Sequence, residues 1–222
     1  MSDSPRDQLA AQLAEAVAEA LRHDLDTQER ALLVVSGGST PVPFLHALSA
    51  VELPWERIDV TLADERWVAE TASDSNARLV REHLLQGPAT KATFVSLTSS
   101  HPTPEQGATE VAARLRPLAW PASVVILGMG GDGHTASLFP DSQELSLALA
   151  TAEPVVAVRT PSQPQPRITL SADRLHQARR HVLHLTGEEK RSVLARALTG
   201  DDSRELPIRA FLACPLAIYW AP

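Results

Sequence analysis

One cysteine, Cys214, stands in 222 residues, so the chain can form no internal disulfide framework and suits a reducing compartment. Beside Pro215, near the C-terminus, it reads as a packed thiol rather than a nucleophile. No apolar run approaches the ~18 residues that span a bilayer. The polar start (Ser2, Asp3, Ser4, Arg6, Asp7) has no apolar stretch of the signal-peptide kind. The expectation is a soluble, cytoplasmic protein without a membrane partner. Excess positive charge is missing too. A net charge of -7 argues against a general nucleic-acid binder but leaves room for a local basic pocket facing a small anion.

Several catalytic signatures are also missing. There is no Gly-Lys-Ser/Thr ending of a Walker A loop and no G-x-S-x-G nucleophile elbow. The histidines show no cluster with metal-ligand spacing. His181 and His184 alternate on one strand, and His23, His46, His83, His101 and His176 are scattered. No metal site and no cofactor is expected. No repeat or low-complexity segment occurs, and the length suits one domain covering residues 1–222.

What is present is a repeated alternation of short apolar strands and helical segments. Leu9, Leu13, Val17 and Leu21 recur every four residues and predict a helix over 5–23, started by Ser4 and Pro5. Strands are expected at 31–35, 58–63, 93–97, 124–127, 155–158, 181–185 and 216–220, and helices at 42–50, from the 73–78 segment through about 86, at 103–116, after 171 and through 197. Residues 160–166, with three prolines, read as an ordered loop. This alternation predicts an α/β fold, a mostly parallel sheet with helices on both faces, as in a Rossmann-like three-layer sandwich. The ligand edge of such a sheet is its C-terminal one, which would carry Gly37, Gly38, Asp64, Gly130, His134 and Gly187.

Ser123 to Pro140 is the most informative stretch. Val124 to Leu127 reads as a buried strand, and it empties into Gly128, Gly130, Gly131 and Gly133, with Asp132 and His134 inside the turn. The glycines match G-x-G-x-x-G, but a dinucleotide site is discounted. Pro140 interrupts the helix that should carry the pyrophosphate, and Glu153 precedes the next strand instead of ending it. His134 then stands as a general base or acid, or as a histidine satisfied by the glycine loop, with Asp132 able to orient it.

An earlier turn, Ser36-Gly37-Gly38-Ser39-Thr40-Pro41, joins a strand to a helix whose expected N-cap is Thr40. It serves either as an anion cradle at a helix N-terminus or as a plain tight turn. Asp64-Glu65-Arg66 at a strand end is either a solvated edge or a site. Ser73 or Asp74 is expected to cap the next helix, with Asn76 facing the site or supporting the cap. Arg66, Arg167 and Lys190 come from separate strand ends and together can neutralise a phosphate dianion.

Taken together, Ser36–Pro41, Asp64–Val68, Ser73–Asn76, Leu127–Pro140 and Thr186–Lys190 resemble the 6-phosphogluconolactonase family, in family order and across nearly the whole chain. That family is grouped with glucosamine-6-phosphate deaminase/isomerase. In the deaminase branch an acid usually precedes the residue at Asp132, and an aromatic commonly follows Asp64-Glu65. Here those positions are Gly131 and Arg66.

The resemblance implies cofactor-free hydrolysis of 6-phospho-D-glucono-1,5-lactone in the pentose phosphate pathway. It implies a 6-phosphate held by Gly37, Gly38, Ser39, Thr40, Arg167 and Lys190. His134 would be the base, supported by Asp132. Arg66 and the N–H groups of Gly130 and Gly131 would face the oxyanion, and Asp64 and Glu65 would orient Arg66 or sugar hydroxyls. Asn76 completes the expected binding set. The alternatives are a sugar-phosphate isomerase or deaminase and a non-catalytic sugar-phosphate-binding protein. Oligomeric state is not legible.

Overall fold

The computed structural model describes residues 4–222; residues 1–3, part of the polar start, lie outside the described residues. The chain runs α1 (Pro5–Leu25), β1 (Ala31–Val35), α2 (Val42–Ser49), β2 (Ile58–Leu62), β3 (Asp64–Arg66), α3 (Asn76–His83), β4 (Thr93–Val95), α4 (Pro104–Leu115), β5 (Val124–Leu127), α5 (Leu145–Ala150), β6 (Val155–Thr160), β7 (Gln163–Leu170), α6 (Ala172–His176), β8 (His181–Thr186), α7 (Glu188–Ala197), α8 (Arg209–Leu212) and β9 (Leu216–Ala221).

Six strands form one parallel sheet in the order β4-β2-β1-β5-β8-β9. Every residue of β1, β2 and β5 is buried, as a sheet covered on both faces requires. α1 starts with a reciprocal cap. The Ser4 hydroxyl accepts from the Asp7 backbone N–H, while the Asp7 carboxylate accepts from Ser4. Its stripe of Leu13, Val17 and Leu21 is wholly buried and packs against α2 and the sheet.

The strand order turns back between β1 and β5: β2 and β4 extend one way, β8 and β9 the other. At such a switch point the loops leaving the two strands diverge and leave a crevice. The loop after β1 is the Gly37-Gly38 turn, and the loop after β5 carries His134.

A second sheet corrects the expectation of uniform alternation. β3, β7 and β6 form an antiparallel unit with β7 central. Residues 64–66 are therefore a strand of their own rather than the end of β2. Residues 163–166, expected as loop, belong to β7. Pro164 and Pro166 fit there because the β3 ladder stops at the Arg66–Arg167 pair and the β6 register shifts between Val158 and Thr160. The missing N–H groups thus fall outside the regular pairing.

Three local expectations also change. Thr40 does not cap α2; Pro41 is its boundary residue, without a side-chain cap, and the Thr40 hydroxyl meets that of Thr186 at 3.2 Å. Ser75, not Ser73 or Asp74, caps α3 by accepting from the Arg78 N–H. That helix ends at His83, and a separate 3₁₀ turn follows from Gly87 to Lys91.

Candidate active site

A cleft of about 370 Å³ opens at the switch point. Its first wall is the turn from Ser36 to Pro41. A Cβ at Gly37 would fall 1.9 Å from the Asn76 Oδ1, so a residue without a side chain lets the turn lie against Asn76. Asn76 is buried, and its Nδ2 donates to the Asp64 carbonyl at 2.9 Å. The turn thereby leans on the start of α3 while its other side, through Thr40 and Thr186, is tied to the end of β8.

The second wall is the loop after β5. No helix follows the glycines: the Gly130 N–H donates to the His134 carbonyl at 2.9 Å, and the Gly133 N–H to the Gly130 carbonyl at 3.1 Å. The loop folds back on itself instead. A Cβ at Gly130 would stand 2.2 Å from the His134 ring, which explains the glycine there. The His134 Nδ1 lies 2.6 Å from the Asp132 Oδ1, and the same oxygen accepts from the His134 backbone N–H at 3.1 Å. Partial burial pushes the Asp132 carboxyl up, but its bonds to His134 and the charge of that ring outweigh this and leave it below its ordinary value. The His134 ring rests on Phe139, with centroids 4.4 Å apart.

The third wall comes from the small sheet. Arg66 and Arg167 are directly opposed across β3 and β7, and both line the cleft. Like charges in that relation repel. Asp64 partly offsets this, with its Oδ2 3.4 Å from the Arg167 Nη1. The Arg167 Nη2 donates to Gln163 at 3.2 Å, and the Arg66 Nη1 to the Asp74 carbonyl at 2.5 Å. The Nε of each arginine is buried without a protein partner. Burial lowers the Arg167 pKa, against the pull of Asp64 and together with the push of Arg66. Its guanidinium lies 5.2 Å from the Phe139 ring centre, so Phe139 contacts both the imidazole and the cation. Lys190, near the start of α7, completes the positive lining.

Gly37, Gly38, Ser39, Thr40, Asp64, Arg66, Asn76, Gly130, His134, Arg167 and Lys190 are brought together at the cleft. Glu65 is not, which corrects its assignment to substrate. It is wholly buried and accepts from the backbone N–H groups of Arg66, Asn76 and Ala77 and from the Ser75 hydroxyl. Burial pushes its carboxyl up and these four donors pull it back. It anchors the start of α3. Asp132 and Gly131 lie outside the cleft lining: Asp132 beside His134, and Gly131 against Glu189. The Gly130 N–H, expected to face an oxyanion, is already used by the His134 carbonyl.

Gln163, Phe139, Thr186 and His184 line the cleft without having been singled out for it. His184 could have been found as a buried-strand position ending in a site loop, whereas the prolines around Gln163 hide its strand.

The family model described as Glucosamine-6-phosphate isomerases/6-phosphogluconolactonase matches residues 4–220. The chain belongs to this family. It is 48% identical over 212 residues to a 6-phosphogluconolactonase of Pseudomonas aeruginosa, covering 95% of this chain and 89% of that protein. A 6-phosphogluconolactonase of Rhizobium meliloti is 43% identical over 219 residues, covering 96% and 94%. Among solved structures, a 6-phosphogluconolactonase from Shewanella baltica superposes with a TM-score of 0.97 at 45% identity, covering 100% of this chain and 96% of that one. These similarities run through both sheets, so the small antiparallel unit is part of the shared fold rather than an addition to it.

Proposed function

We propose that this chain is one catalytic domain that hydrolyses 6-phospho-D-glucono-1,5-lactone to 6-phosphogluconate, the lactone-opening step of the pentose phosphate pathway. The observation that carries the reading is a His–Asp pair at a cleft whose facing wall presents two opposed arginines with unpartnered Nε groups. A base and a dense positive wall are what an anionic ester substrate needs.

Asp132, as acceptor at Nδ1, selects the tautomer that leaves the His134 Nε2 as a proton acceptor. That nitrogen takes a proton from water as the water oxygen bonds to C1. Negative charge moves to the carbonyl oxygen, where Arg66 stabilises it. The C1–ring-oxygen bond then breaks, and the imidazolium returns its proton to the leaving ring oxygen. Arg167, Lys190 and the backbone of the Gly37–Thr40 turn hold the 6-phosphate. A phosphorylated sugar acid of this kind is retained by cells, which fits a cytoplasmic setting.

The test is turnover of the phosphorylated lactone, coupled to detection of 6-phosphogluconate and corrected for spontaneous opening. A rate no higher than the spontaneous one ends this reading, and ammonia release from glucosamine 6-phosphate replaces it with the deaminase alternative.

A further inference from the structure

The loop bearing His134 is tied to the small sheet by one residue that the chemistry above does not use. Ser137 is wholly buried. Its hydroxyl donates to the Asp64 Oδ2 at 2.5 Å, and its backbone N–H donates to the Thr169 hydroxyl at 3.3 Å. Thr169 is the cross-strand partner of Asp64, so both bonds end at one rung of the small sheet. Between His134 and Ser137 the backbone passes through Ala136 at φ 49, a left-handed conformation that an alanine adopts only when its surroundings hold it there. The Leu138 N–H closes the turn onto the Thr135 carbonyl at 3.0 Å, and Ser137 fastens that turn to Asp64.

The same Asp64 oxygen faces the Arg167 Nη1. One buried carboxylate oxygen is therefore shared by the loop that carries the base and by the cation of the opposite wall. We propose that Ser137 and Asp64 are positioning residues. Ser137 latches the His134 loop in register with the small sheet, and Asp64 sets the Arg167 guanidinium for the substrate phosphate while holding that latch. The inference rests on the lactonase reading. It adds that the two halves of the machinery share a hydrogen-bonded support at Asp64 besides their common contact with Phe139, so that a change at that support alters turnover and phosphate recognition in separable ways.

The experiment compares Ser137→Ala and Asp64→Asn with the unmodified chain on the phosphorylated lactone and on its unphosphorylated analogue, alongside thermal melting. Ser137→Ala removes one oxygen and leaves the Asp64–Arg167 pair in place. Its expected result is a kcat lower by about 10-fold on both lactones with KM within about two-fold. Asp64→Asn is expected to lower kcat in the same way and also to raise KM about 10-fold for the phosphorylated lactone alone. Should Asp64→Asn fail to fold, Ser137→Ala decides the latch and Asp64→Glu, which keeps the charge but moves the carboxylate oxygens relative to the Arg167 Nη1, decides the phosphate arm on the same pair of lactones. Variants that melt earlier but keep kcat and KM within two-fold per folded molecule overturn the inference, because that is the signature of a merely structural role. No turnover by the unmodified chain overturns the lactonase reading instead, so the two failures are told apart.

Discussion

The parallel sheet and the small antiparallel sheet face each other across one cleft but supply different things to it. From the parallel side come backbone and shape: the Gly37–Thr40 turn after β1 and the folded-back loop after β5 that sets His134. From the small sheet come charge and its counter-charge, Arg66, Arg167 and Asp64, within two strands of one ladder. The switch point of a parallel sheet yields a crevice and free N–H groups at a helix start, and here Lys190 at the start of α7 adds one cation from that side. A paired β-ribbon holds two guanidinium groups at fixed spacing, which a loop does less well. Breaking His134 on the parallel side should damage chemistry, and breaking Arg167 on the small sheet should damage recognition.

The largest expected effect lies on the parallel side. His134→Ala removes the base and should lower kcat by about 10²- to 10⁴-fold, measured as lactone hydrolysis above the spontaneous rate. The small sheet should respond differently. Arg167→Lys keeps a positive charge opposite Asp64 but loses the planar fork. A drop of about 10-fold or more in kcat/KM for the phosphorylated lactone is expected, with little change for the unphosphorylated one. Equal losses on both substrates would show that the small sheet contributes shape as well, and the contrast between the walls would collapse.

Legibility from sequence follows the same division. Apolar runs into glycine turns are unmistakable, so β1, β5 and their loops were expected in place, as was the parallel sheet. The small sheet was not expected. β3 is three residues long, and β7 contains Pro164 and Pro166, which single-strand patterns reject. Missing β3 also explains Glu65. Successive side chains of a strand point to opposite faces, so Asp64 and Arg66 share the cleft side and Glu65 faces away beneath α3. Reading 64–66 as a strand end withheld that alternation. Arg167 was singled out as one of three strand-end cations that together could face a phosphate, but its cross-strand pairing with Arg66 depends on a register that no local pattern encodes.

A change at the Gly37 turn sharpens the comparison from the side of shape. Gly37→Ala brings a methyl group against the Asn76 amide, which the Asp64 carbonyl holds from behind. The clash should destabilise the fold by about 1–3 kcal/mol, read in denaturant or thermal unfolding, and raise KM for the phosphorylated lactone. Gly38→Ala meets no neighbour but must keep φ +91, so a smaller loss of about 1 kcal/mol is expected. If Gly38→Ala proved the more damaging of the two, the turn's limit would be its own backbone rather than its contact with α3.

A last effect concerns pH and belongs to the floor of the parallel side. His184, on β8, lies edge-on to Phe44, and its Nδ1 is buried without a partner. Burial lowers its pKa from 6.5 to about 4. The folded chain therefore keeps this imidazole neutral while the unfolded chain takes up a proton below about pH 6.5. Stability then falls as pH drops from about 6.5 to about 4, by up to ~3 kcal/mol from this group, and levels off below. Unfolding free energies of the unmodified chain and of His184→Leu, compared across that window, should show a flatter acid limb in the variant. An unchanged slope would show that burying this imidazole neutral does not set the acid limb, and the floor beneath the cleft would then contribute shape to the site without contributing its pH dependence.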